Sequence, residues 1–253
     1  LTQLGVIAMH VTALPPDHVR MVLGGFYWGV QPHDLIVASA YTRAYTMKTN
    51  KIRWSAVWEA AGLIPADAMA SGPYTAKMRL LIGDNLIDGV ILYRAIERVA
   101  ASGGSLVAWC EKNGILYDKI VAFSDMVDEG IEQFTLANMH VFLQDVDSVV
   151  DALTADSVAR FKHCVYDGFA HNLCVVDRAT RRYTQCEWSQ RPVRVPALLA
   201  DTTDALGVKL SVLPKYVICP RFEIKEDARA GKISLNAPHV CVLDGYVSPD
   251  LQC

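Results

Sequence analysis

The chain is predicted to be an α+β protein: a helical bundle followed by a small five-stranded β-barrel, closed or nearly so. Three observations predict it. Residues 17–155 carry apolar side chains at helical spacing almost throughout. After Asn172 the texture changes to short β-rich runs, Leu173–Val176, Tyr183–Trp188, Val193–Val195, Tyr216–Ile224 and Ile233–Leu243, parted by polar turns. Between the two lies Val158–Trp188, which begins with Phe161, Val165 and Phe169 four apart on one helical face and ends in strand-like alternation.

Taken in order, Leu1–Gly5 reads as a short extended segment that Val6–Thr12 continues and Pro15-Pro16 stops. Asp17 is a fitting N-cap for a helix over Val19–Tyr27. Pro32 opens the next helix, which buries Leu35, Ile36, Ala38 and Ser39. Trp54, Val57 and Trp58 start a short helical face that Gly62–Pro65 ends, and Ser71-Gly72-Pro73 is a loop. Ala76–Val99 suits one or two buried helices, with Gly83-Asp84 as a break and Ser102-Gly103-Gly104 as a turn. Trp109–Tyr117 and Ile120–Phe134 read as two short helices joined at Phe123-Ser124-Asp125, the second capped by Ser124 or Asp125.

Composition narrows the function classes. Of 253 residues, 52% are apolar and 20% charged, which allows a sizeable core and argues against disorder. The net charge of −3 does not mark the whole chain as a nucleic-acid binder, but its distribution is uneven. Residues 101–157 hold two Lys against ten Asp or Glu, a balance of −8, whereas residues 158–233 hold thirteen Lys or Arg against eight, a balance of +5. Two modules with different partners are expected. The seven cysteines are odd in number, include no Cys-x-x-Cys and sit mostly in apolar runs. That predicts buried free thiols in a reducing, intracellular compartment, with nucleus, cytoplasm and mitochondrion left open. No charge-free run of eighteen apolar residues predicts a membrane span, and no signal-peptide pattern opens the chain. It starts at Leu1 inside a patterned segment, so a piece of a longer protein is expected.

Several stretches then fall into a known arrangement. LTQLGVIAMHVTALPP with HVRMVLGG, DLIVASAYT, GDNLIDGVILYRAI, WCEKNGILYDKIVAFSDMVDEGIEQF, YDGFAHNLCVVD and LPKYVICPRFEIK follow one another in an order that resembles the C-terminal region of DEAH/RHA-type RNA helicases. The resemblance covers essentially the whole chain. It implies a winged-helix tail over 1–16, a helical helicase-associated (ratchet) domain over 17–157 and an OB-fold over 158–253. It further implies an accessory module of an ATP-dependent motor that closes an RNA channel, binds single-stranded RNA and docks regulators, glycine-patch proteins among them. ATP and Mg would belong to motor domains upstream. Gly231-Lys232 is followed by Ile233 and lacks the upstream glycine of a phosphate loop, and Asp128-Glu129 is followed by Gly130-Ile131, so this stretch cannot hydrolyse ATP by the family's route. The sequence departs from the family where its Ser-rich loop reads Val195-Pro196-Ala197-Leu198, where Thr12 replaces a proline and where Tyr216 replaces a tryptophan. These departures imply a weaker or different RNA grip, and they keep open a competing reading: a non-catalytic scaffold in a large ribonucleoprotein assembly.

The candidate contacts are cations. Arg178, Arg181 and Arg182 sit at the predicted hairpin tip, where they reach a phosphate backbone or simply solvate the turn. Arg191 and Arg194 flank the altered loop as backbone contacts or as strand-edge charges. Lys215, Arg221 and Lys225 form a basic barrel face or the wet side of an amphipathic strand. Tyr183 and Trp188 stack on bases or, the reading preferred here, fill the barrel. Trp54, Trp58 and Trp109 are packing anchors, and the resemblance puts Arg20, Arg43, Lys48 and Arg53 near a channel floor. His163, Cys164, Asp167, His171 and Cys174 invite a metal or nucleophile reading, but they lack a second ligand pair at zinc spacing and an orienting third group. No metal site and no catalytic residue is assigned. The acidic block Asp125–Glu132 reads as a solvated helix face or as a docking surface for a basic partner.

Overall fold

The computed structural model describes residues 3–44, 52–63, 86–177, 182–186, 192–194, 215–227 and 232–243. The chain is α+β: helices occupy the first two thirds and strands follow.

α1 (Gln3–His10) replaces the extended opening segment that the sequence suggested. Among the described residues no strand lies beside it, so an extended backbone would leave its N–H and C=O groups without a ladder, whereas a helix pairs them internally. α2 (Pro16–Trp28) takes Pro16 in its first turn, and Pro15, not Asp17, is the cap residue. Proline loses nothing there, because the first amides of a helix have no helical acceptor. Asp17 lies one residue inside, where its charge favours the positive helix end. Gly29 ends α2 with a φ of 64°, a conformation that suits glycine.

α3 (Pro32–Ala44) is buried on nearly every side, with Leu35, Ile36, Ala38 and Ser39 fully covered as expected. It is the central rod against which α2, α5 (Leu86–Ala101) and α7 (Tyr117–Leu136) pack. Small residues set the spacing: a Cβ on Gly89 would meet the Tyr41 ring at 2.5 Å, and one on Gly130 would meet Ile36 at 2.8 Å. α4 (Trp54–Ala60) leans on α5 through Trp54, Val57 and Trp58. α6 (Leu106–Lys112) is capped by Ser105, whose hydroxyl accepts from the Ala108 amide. The expected loop Ser71-Gly72-Pro73 and the break at Gly83-Asp84 lie outside the described residues.

Two helices are present as expected, α6 and α7, but they are parted at residues 113–116 and not at the expected joint within α7. α7 runs unbroken through Phe123-Ser124-Asp125, because Ile120, Phe123, Val127, Gly130 and Phe134 keep one continuous buried row. Residues 137–148 correct the expectation of near-continuous helix in the other direction: they form an irregular segment. Gln31 holds it in place, its side-chain amide donating to the Leu143 and Val146 carbonyls and its side-chain carbonyl accepting from the Leu143 amide. Buried Asp34 accepts from the Ser148 hydroxyl and from the Val149 amide at 2.7 Å, which starts α8 (Val149–Ala152). α9 (Ala155–Phe169) opens on a Thr154/Ser157 capping box and packs closely along α2. At that contact a Cβ on Gly168 would meet the Asp17 carbonyl at 2.7 Å.

The strands are β1 (Leu173–Asp177), β2 (Arg182–Gln185), β3 (Pro192–Arg194), β4 (Tyr216–Ile218), β5 (Glu223–Asp227), β6 (Lys232–Asn236) and β7 (Cys241–Val242). They form one sheet in the order β5-β6-β3-β2-β1-β4-β7, antiparallel except for β3 with β6. Two of the five expected strands are each divided. Tyr216–Ile224 breaks at Pro220 and Ile233–Leu243 at Pro238, where proline has no amide for the ladder. The expected closure is also corrected: among the described residues no ladder joins β5 to β7, so the sheet is open.

The sheet nevertheless curls. β4 and β5 are five strand positions apart in the order, about 24 Å if flat. The chain between Ile218 and Glu223 can span only about 17 Å. Leu173, Ile218 and Cys241 turn toward α9 and join the helical core, while Cys174, Val176, Tyr183, Val193, Val217, Leu235 and Val242 form a second core of their own. No helix among the described residues is long and apolar enough to cross a membrane.

Candidate nucleic-acid interface

β1 is the spine of the candidate site. At its far end Asp177 stands opposite Arg182 of β2, and Arg182 is exposed. On its other side the Val176 amide donates to the Lys215 carbonyl, and Val175 stands opposite Tyr216. Arg182 and Lys215 therefore flank the same end of the same strand, two strand spacings or about 10 Å apart at the backbone. Lys215 is exposed, and its Nζ lies 4.6 Å above the Tyr216 ring. The ring face attracts the ammonium. Two of the sequence candidates thus flank one end of β1 at successive register positions.

The others divide. Arg178, Arg181 and Arg191 lie outside the described residues. Arg194 ends β3 opposite Asn236 of β6, and Lys225 stands on β5 opposite Ser234. Arg221 is half-buried and reaches back, Nη1 donating to the Arg43 carbonyl at 3.5 Å. Arg43 in turn donates to the Ala13 carbonyl, so both guanidiniums tie the chain to itself. Arg20 and Arg53 are exposed, and Lys48 lies outside the described residues. Tyr183 is 1% exposed, a core residue that presents no face to a base; Trp188 lies outside the described residues.

The His/Cys group resolves into packing. Asp167 does not bridge His163 and His171: its Oδ2 accepts from the Trp28 indole at 2.7 Å. His163 stacks on that indole at 4.3 Å, and His171 stands 3.6 Å from Asp17. Burial pushes the Cys164 thiol up to about 12, so it holds its proton. Cys174 Sγ lies 3.8 Å from Cys219 Sγ, both thiols fully buried, with the Cys219 thiol driven well above its ordinary range by that burial. Among the described residues no group of three or more His, Cys, Asp or Glu is placed to hold a metal.

Sequence reading missed one pair. His18 Nδ1 and Ser39 Oγ, 21 residues apart, meet at 2.6 Å in the bundle core. Burial, helped by Arg43, lowers the His18 pKa to about 4, so the imidazole is neutral. Ser39 is fully covered, so this contact is internal and no substrate reaches it. It also missed a cleft of about 150 Å³ between Gly29, Asp147, Ser157 and Arg160, whose walls come from the turn after α2, the irregular segment before α8, and helices α8 and α9. Arg160 Nη1 donates there to the Gly29 carbonyl.

No protein-family model matches the chain, and no curated protein matches it.

Proposed function

We propose that the chain is the C-terminal accessory module of an ATP-dependent DEAH-type RNA helicase, with its sheet acting as an OB-type barrel that holds single-stranded RNA by the backbone. The observation that carries this reading is the second core. Leu235 of β6 and Val242 of β7 share it, although the ladder order separates their strands by five positions. Strands so far apart in pairing meet in one interior only if the sheet wraps around it. β3 running parallel to β6 while its other neighbour, β2, runs antiparallel supports the same barrel. Outside it, Arg182 and Lys215 offer cations at one end of β1 with no base-edge readout, which suits phosphate contact and little sequence choice.

In this reading the bundle flanks the RNA path, the strand is drawn past it by motor domains of the same protein, which bind ATP and Mg, and the surface offers landing sites for regulators. The scaffold reading competes on one observation: the exposed face of α7 is strongly acidic and suits protein contact better than RNA contact.

Fluorescence anisotropy with an oligouridine of about twenty nucleotides tests the proposal. Affinity should fall steeply with salt, with a log–log slope of about −0.7 for each phosphate neutralised. Arg182→Glu with Lys215→Glu, and separately Arg178→Glu with Arg181→Glu, should each flatten that slope. A salt-independent signal, or an unchanged slope in both variants, refutes RNA contact through this end of the sheet. In the full-length protein, removal of residues 158–253 should abolish RNA stimulation of ATP turnover; retained stimulation refutes the accessory role.

A further inference from the structure

α7 has an outer side that no described residue covers. Its core side is Ile120, Phe123, Val127, Gly130 and Phe134. Away from that side Tyr117 and Val121 are each 41% exposed one turn apart, and the N-cap residue Leu116 just before them is 52% exposed. Asp125, Asp128, Glu129 and Glu132 follow, all exposed. Spacings of three and four place Tyr117, Val121, Asp125, Asp128 and Glu132 in a single row along the helix. Scattered surface hydrophobics need no explanation, but Tyr117 and Val121 at the head of a carboxylate row, with Leu116 beside them at the N-cap, make an amphipathic strip.

The charge of that strip specifies its occupant. Among the described residues none of the four carboxylates forms an ion pair; Glu129 only accepts from the Gln133 side-chain amide at 3.3 Å. Among the described residues the row's charge is unanswered, and Glu97 adds a further acid beside Asp128: burial, then Glu97, then Asp128 push the Tyr93 phenol up to about 12. We infer that this strip docks a basic amphipathic segment of a partner protein, with apolar side chains seated on Leu116, Tyr117 and Val121 and Lys or Arg residues along the carboxylate row. The inference rests on the regulator-docking part of the function proposed above and not on RNA contact, since a carboxylate row repels phosphates.

The probe is a fluorescein-labelled peptide of about eighteen residues, Leu and Lys at helical spacing, titrated into the intact chain. Two control peptides replace its Leu by Ser or its Lys by Glu. The Leu/Lys peptide should bind, and both controls should fail. Asp125→Lys with Glu129→Lys, and separately Leu116→Ser with Val121→Ser, should each weaken binding by about tenfold. Both variants change only exposed side chains, and unchanged thermal melting confirms that they fold. Oligouridine affinity should stay the same in the Leu116→Ser, Val121→Ser variant, so failure here is distinguishable from failure of the RNA reading. Equal binding of the Ser-substituted peptide, or a loss confined to the charge variant, overturns the inference in favour of diffuse counter-charge. Sedimentation showing a dimer that Leu116→Ser with Val121→Ser dissolves overturns it in favour of a second copy.

Discussion

His18 carries the clearest consequence of burial at a single position. Its pKa of about 4 lies below the ordinary 6.5, so between those values the unfolded chain binds a proton that the native chain refuses. The native state is therefore fully stable with respect to this group above pH 6.5 and loses stability as pH falls toward 4. The loss is on the order of 3 kcal/mol. Urea unfolding at pH 7 and pH 4.5 should show it, and the His18→Gln variant should lose less stability than the parent over the same interval. Equal losses would remove His18 from the account. The His18–Ser39 pair could not be read in advance, because 21 residues separate its members and no local pattern links a helix face to its neighbour's. Tyr183 was legible, because a tyrosine alternating with polar residues in a short strand points inward.

Among the elements, close approach of helices governs the bundle. Gly168 of α9 faces Asp17 and Met21 of α2, where a Cβ would meet the Asp17 carbonyl at 2.7 Å and the Met21 Cβ at 2.9 Å. Helix propensity alone predicts that Gly168→Ala stabilises by about 1 kcal/mol. Overpacking against a backbone atom predicts the opposite sign, a loss of about 1–3 kcal/mol. A lowered urea midpoint in Gly168→Ala supports the close α2–α9 contact, and a raised midpoint contradicts it. Helices α2, α3 and α4 were legible because their apolar spacing is strong and prolines or glycines bound them. The errors have definite causes. Ser124 and Asp125 resemble caps, but Phe123 and Val127 keep the α7 core row intact around them, so tertiary packing overrides local capping preference. α1 resembles a strand by composition, but among the described residues it has no ladder to join.

On the scale of the whole molecule, two cores meet at the sheet. Leu173, Ile218 and Cys241 extend the helical core into β1, β4 and β7, so α9 and the strands are not independent bodies joined by a tether. The change from helix to strand after Asn172 was visible in the sequence as a change of period. The strand divisions at Pro220 and Pro238 had a local signal, the missing proline amide, that went unread. The crossing of the chain between β4 and β5 had none, since pairing order depends on contacts far apart in sequence. Of the candidate interface, the placement of Arg182 and Lys215 on either side of β1 was likewise invisible, although each residue was named for its charge. The account's central claim is that this end of the sheet holds an RNA backbone. Amide hydrogen exchange of the chain with and without oligouridine tests it most directly. The account predicts RNA-dependent protection over Leu173–Gln185 and Lys215–Ile218 with α7 unchanged; protection confined to the helices, or none at saturating RNA, would contradict it.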